Sequence, residues 1–229
     1  MALRCNERVV RTARAEDHVP RERSTMPARA HKSNAIVQSK LARLDEPHVA
    51  PLVALADEIA KSRGLPPGAV PYPDPDFAGV RAEALVLLKS PGPGAVTGTG
   101  SGLLSPENDD PTAARAHAEY ERVGLDWRRV VHWNAVPWPT EADNPTGSDL
   151  HAARPWLPRV LELVPDIRAV LLLGKVAEQE WARPGLGTIA VGRRVPVIAA
   201  PMPSWPGITR AGASQALREA FDRLASVLG

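Results

Sequence analysis

The sequence predicts an α/β fold, a three-layer sandwich with a central four-stranded parallel sheet flanked by helices. Three observations predict it. Four short apolar runs, ALVLL (84–88), VVHWN (130–134), AVLLLG (169–174) and VPVIAAP (195–201), have the length and near-continuous hydrophobicity of strands buried on both faces. Helical patterns separate them, which calls for parallel strands joined by right-handed crossovers. The chain of 229 residues is 44% hydrophobic, enough for one buried core but short for two domains.

The elements follow in order. Residues 1–45 hold ten Lys/Arg against five Asp/Glu, with scattered prolines and no periodic apolar face, so they read as a disordered basic N-terminal extension. A start at Met26 is one reading of this segment, and an arm that grips polyanions is another. The folded domain is expected over 46–229, where 18 basic residues face 21 acidic ones. Val49, Leu52, Val53, Leu55, Ala56 and Ile59 recur at helical spacing, and Gly64 ends the pattern. A proline-stiffened connection leads to the first strand and then to a Gly/Pro loop. Asp110 is placed to cap a helix that has Pro111 at its first position and Gly124 at its stop. After the second strand, residues 149–165 predict a broken helix. A short helix follows the third strand, and 212–228 close the chain as an amphipathic helix.

Composition excludes several classes. The single cysteine, Cys5, rules out a disulfide framework or a thiolate-held cluster and suggests a cytoplasmic protein. No apolar run approaches the roughly 20 residues of a membrane span, and the N-terminus lacks a signal-peptide core. The six histidines are scattered without metal-ligand spacing. His132 alternates with apolar strand residues and reads as a buried, hydrogen-bonded core histidine. The loop after Leu88 is not a phosphate loop. Lys89 precedes the glycines, Gly92, Gly94 and Gly98 miss the dinucleotide spacing by one residue, and Pro91 and Pro93 remove two N–H donors. It fixes a shape instead. In a parallel sheet, ligands bind at the carboxyl ends of the strands, where the segments after Leu88, from Asn134, at Gly174 and from Pro201 must gather.

Five segments, LLKSPGPGAV, SGLLSPENDDPTA, VVHWNAVPW, AVLLLGKVA and APMPSWPG, occur in the order and at roughly the spacing seen in the uracil-DNA glycosylase superfamily. The resemblance covers about Pro47 to the end. It implies a pocket for a base flipped from single- or double-stranded DNA, hydrolysis of the N-glycosidic bond of uracil or a damaged base, no metal or organic cofactor, no membrane partner, and a monomer. Such chemistry needs donors for the departing base and a carboxylate or amide for the cationic sugar. By this resemblance Asn134 is the base-reading amide, and Leu103 or Leu104 lies where an aromatic residue usually stacks on the base. Ser204, Trp205 and Arg210 lie in the segment that grips DNA.

The sequence departs from the pattern in two motifs. Lys89 and Ser90 stand where an acidic or amide residue is usual, and Met202 stands in place of a histidine. Lysine cannot act as a carboxylate toward a cationic sugar, and a thioether donates no hydrogen bond. Three reconciliations are open: Lys89 acts on the leaving base or as a nucleophile, Asp109 or Asp110 supplies the carboxylate, or the fold binds nucleic acid without cutting it. A binder of small nucleosides or nucleotides is a further rival.

Overall fold

A computed structural model describes residues 27–183, 186 and 195–229. Strands β2 (Ala84–Leu88), β4 (Val130–Asn134), β5 (Ala169–Leu173) and β6 (Val197–Ala200) form a parallel sheet in the order β4-β2-β5-β6. All four were expected from their apolar runs. Pairing is in register, with Val86 beside His132 and Leu88 beside Asn134. A second, two-stranded parallel sheet joins β1 (Tyr72–Pro73) to β3 (Leu103–Leu104). Nothing in the sequence pattern announced it.

Alternation along each central strand divides the core. Leu85, Leu87, Val131, Trp133, Val170 and Leu172 face one side, where they meet α2 (Ala50–Ser62) and α5 (Trp156–Leu163) through residues such as Leu52, Ile59 and Leu161. Val86, Val130, Leu171 and Leu173 face the other, under Tyr120 of α3 (Pro111–Val123) and Leu217, Phe221 and Leu224 of the closing helix Ala213–Leu228. The predicted broken helix is two helices, α4 (Gly147–Ala153) and α5, and α6 (Lys175–Trp181) follows β5. Among the described residues no helix is long and apolar enough to cross a membrane.

Helix α3 begins as its sequence dictates. Asp110 accepts hydrogen bonds from Thr112 N and Ala113 N, Pro111 occupies the first turn, and Gly124 ends the helix at φ 63°.

The N-terminal expectation needs correction. Residues 1–26 lie outside the described residues, but 27–45 are folded: a short 3₁₀ turn, Ala30–Lys32, leads into α1 (Asn34–Leu41). This segment buries His31 and Lys40. The Lys40 Nζ donates to Asp74 Oδ2 at 2.8 Å and Glu107 Oε2 at 2.6 Å, and lies 3.0 Å from Asp76 Oδ2. Burial works against the ammonium, but the Asp74 and Glu107 carboxylates outweigh it and hold the Lys40 pKa above its ordinary value. The arm is fastened by one buried charge cluster, and weak amphipathicity in α1 concealed it.

Candidate base-binding site

The carboxyl ends of the central strands open into a cavity of about 760 Å³. Its floor is the α3-facing side of the sheet. Val86 and Leu88 from β2, His132 and Asn134 from β4, and Leu173 from β5 all line it, as strand alternation requires. Tyr120 and Phe221 close it from the covering helices, their rings edge to face at 5.1 Å. Its walls are the loop after β2, residues 104–112, residues 140–143, and Met202–Ser204.

Asn134 is held at the strand end because the pairing continues past it: Ala135 N donates to Leu88 O at 2.8 Å and Val136 N to Lys89 O at 2.9 Å. Its side chain is 2% exposed, and its Nδ2 has no hydrogen-bond partner among the described residues. A buried amide nitrogen without a partner costs about 1–3 kcal/mol.

The loop after β2 is rigid by construction. Ala95 N donates to Gly92 O, Ser101 N to Gly94 O, and the Thr99 and Thr97 hydroxyls to Pro93 O and Gly68 O. Gly100 packs so closely that a Cβ there would lie 2.2 Å from Gly94 O. At Gly94 a Cβ would lie 2.8 Å from Asp110 Oδ2. The Asp110 carboxylate therefore caps α3 with Oδ1 and turns Oδ2 toward the loop at the edge of the cavity. Asp109 also lines the cavity but pairs with Arg29 at 3.3 Å.

Lys89 and Ser90 line the cavity as well. The Lys89 ammonium donates to the backbone carbonyl of Asp143 and, at 3.2 Å, to Asn144 Oδ1. It thereby fastens the 140s loop across the mouth.

Met202 and Ser204 converge on the cavity from the far side. Gly207 permits their turn, since a Cβ at that position would lie 2.1 Å from Met202 O. Leu104 lines the cavity, whereas Leu103, 0% exposed and absent from the lining, belongs to the core. Of the two, Leu104 is the one at the cavity, because successive strand residues face opposite ways.

Trp205 and Arg210 lie outside the cavity lining. Trp205 is 67% exposed at the start of the short helix Trp205–Ile208, with the Arg115 guanidinium 5.6 Å from its ring centroid. Arg115 also donates to Pro203 O at 3.3 Å, tying this loop to α3. Arg210 is exposed. Sequence reasoning did not single out Arg115, Tyr120 or Phe221, whose placement depends on which helix covers which face.

Elsewhere, His31, Asp74 and Glu107 bring potential metal-ligand atoms within 4.8 Å of one another. The ammonium of Lys40 already occupies the cation's place among these carboxylates, so the donor set does not suit a metal ion.

A parallel α/β sheet whose strand carboxyl ends open into a cavity, with Asn134 among the lining residues, is the usual setting of a ligand site in α/β folds. Residues 104–225 match the model of the uracil DNA glycosylase superfamily. The chain belongs to that superfamily. A comparison with curated protein sequences returned no match.

Proposed function

We propose that the pocket receives a base flipped out of DNA and that the protein is a uracil-DNA glycosylase-like N-glycosylase, acting on uracil or a damaged base in base excision repair. The observation that carries the reading is the convergence of the unpartnered Asn134 amide with Lys89, Ser90, Leu104, Met202 and Ser204 on one cavity in a chain of this superfamily. In this reading Asn134 hydrogen-bonds the base edge and the apolar floor takes its ring. Ser204 and the Lys89–Gly94 loop bound the sugar side. Glycosidic cleavage makes the sugar cationic and the base anionic. The Asp110 Oδ2, turned toward the Gly94 loop, is the carboxylate best placed to face the sugar, while Lys89 supplies positive charge at the mouth. Trp205 and Arg210, with Arg115 beside the indole, serve as the DNA-contacting edge, an exposed ring and cations suited to stacking and phosphate contact.

A second reading, nucleic-acid binding without cleavage, is favoured by the Met202 thioether, which donates no hydrogen bond to a leaving base. Single-turnover incubation with uracil-containing single- and double-stranded oligonucleotides separates the two. Abasic product that disappears in N134A supports the glycosylase. Salt-sensitive binding with no abasic product supports the silent binder.

A further inference from the structure

The exposed Trp205 and the Met202–Ser204 wall of the cavity share one support. A helical side chain leans toward the N-terminus of its helix, so Arg115, four residues after Pro111, lies back over the first turn of α3. Its Nη1 donates to Pro111 O and to Pro203 O, each at 3.3 Å. Pro111 and Pro203 both line the cavity, one on each of two walls, whereas Arg115 does not. A single guanidinium nitrogen therefore bridges the two walls from outside. The same guanidinium lies 5.6 Å from the Trp205 ring centroid, within the range of a cation–π contact.

The piece that Arg115 holds is tightly wound. Gly207 N and Ile208 N donate to Ser204 O at 3.0 and 3.1 Å, and a Cβ at Gly207 would run into Met202 O. Displacing Pro203 therefore carries Met202, Ser204 and Trp205 with it. The helix Trp205–Ile208 has four residues and no side-chain cap at Ser204, too little to hold itself in place. Its position is set by contacts from outside, and Arg115 grips it at the Pro203 carbonyl and at the indole. The task calls for a planar cation that offers N–H donors at its edge and a face to a ring, which an ammonium does not supply. Arg210, by contrast, is exposed.

We infer that Arg115 is a positioning residue for DNA engagement: it fixes the Trp205 indole and the Met202–Ser204 wall in one relation to α3, so that the ring meets the strand at the place from which a base enters the cavity. This rests on the proposed DNA-contacting role of Trp205. Arg115 acts through the indole and the Pro203 carbonyl, and charge contact with phosphate falls to Arg210.

The test uses the full chain and a single-stranded oligonucleotide containing one non-hydrolysable deoxyuridine. R115A should bind it about tenfold more weakly, the value of one hydrogen bond with a cation–π contact. The dependence of affinity on salt should keep its wild-type slope, and R115A/W205A should bind no more weakly than W205A. A slope smaller by about 0.7, the mark of one lost phosphate contact on a single strand, or losses that add in the double variant, overturn the inference while leaving the DNA reading standing. In the free protein labelled with fluorotryptophan, the fluorine signal of Trp205, identified by its loss in W205F, should move in R115A. An unmoved signal overturns the inference as well. Should R115A not fold, R115K carries the test, since it keeps the charge that a phosphate contact needs but not the planar group. Weakened binding at the wild-type slope supports positioning, and wild-type affinity overturns it. Failure of the wild-type protein to bind the oligonucleotide overturns the DNA reading and this inference together.

Discussion

Burial pushes the His132 imidazole down to about 3 from an ordinary 6.5, so the folded protein holds this ring neutral while the unfolded chain protonates it near pH 6.5. The unfolded state therefore binds the additional proton between those values. Stability from this group is complete above pH 6.5 and is lost as pH falls toward 3. Between pH 7.5 and 5.5 the loss amounts to about 1.3 kcal/mol. Urea denaturation of wild type and H132Q at both pH values should show the wild-type stability falling more steeply by that amount. Parallel losses in the two proteins would mean that His132 titrates alike in folded and unfolded chains. Glu83 at the opposite end of the sheet acts at lower pH. Its hydrogen bonds with Arg129, then Arg168, hold its carboxyl down to about 2, so its contribution is present above pH 4.5 and disappears below it.

The element that shapes the sugar side of the cavity is the loop after β2, and its form comes from backbone contact. Gly100 lies against the carbonyls of both Gly94 and Pro93, at distances a Cβ would reduce to 2.2 and 2.6 Å. In G100A the loop must move, at a cost of about 1–3 kcal/mol. Binding of a deoxyuridine probe, an oligonucleotide with one 2′-fluorinated, non-hydrolysable deoxyuridine, should weaken at least tenfold while circular dichroism remains that of the folded protein. Unchanged affinity would show that this loop does not bound the ligand. The elements were legible in sequence wherever local chemistry specifies them. Asp110, Pro111 and Gly124 marked α3 because capping is settled within a few residues, and the four central strands were visible as apolar runs. The β1–β3 pair was not, since two residues carry no period. Asn134, Lys89, Met202 and Ser204 could be gathered from sequence because each follows or ends a parallel strand. Tyr120 and Phe221 could not, because the facing of a helix is decided by partners far along the chain. His132 was read correctly as buried and hydrogen-bonded, but its partner, the Tyr120 hydroxyl, is set by that same facing of the helix.

Across the whole molecule, the segment 27–45 braces the site from behind. Lys40 meets Asp74 and Glu107, and His31 Nδ1 lies 2.8 Å from Asn108 Oδ1. Asn108 in turn accepts from Ser101 Oγ at 2.6 Å, donates to Leu103 O at 2.9 Å, and lines the cavity. The 27–45 part of a basic extension read from composition as disordered thus fixes the wall that carries Leu104 and Asp110. Burial raises the cost of charge on Glu107, yet the neighbouring His31 and Lys40 hold its carboxyl below the ordinary range, while burial pushes the Asp74 carboxyl up against the pull of Lys40. Removing one member leaves the others buried and unpaired, which costs far more than breaking an exposed pair. K40M should lose about 3–5 kcal/mol in urea denaturation. R43A, which breaks half-exposed contacts with Glu46 and Asp76, should lose about 1 kcal/mol or less. The triple variant K40M/D74N/E107Q should regain much of the K40M loss, because it removes the stranded charges. Under conditions where K40M is still folded, it should also bind the deoxyuridine probe more weakly than R43A, since the displaced segment reaches the cavity through Asn108. Equal stability of K40M and R43A would mean that the arm lies on the fold without supporting it.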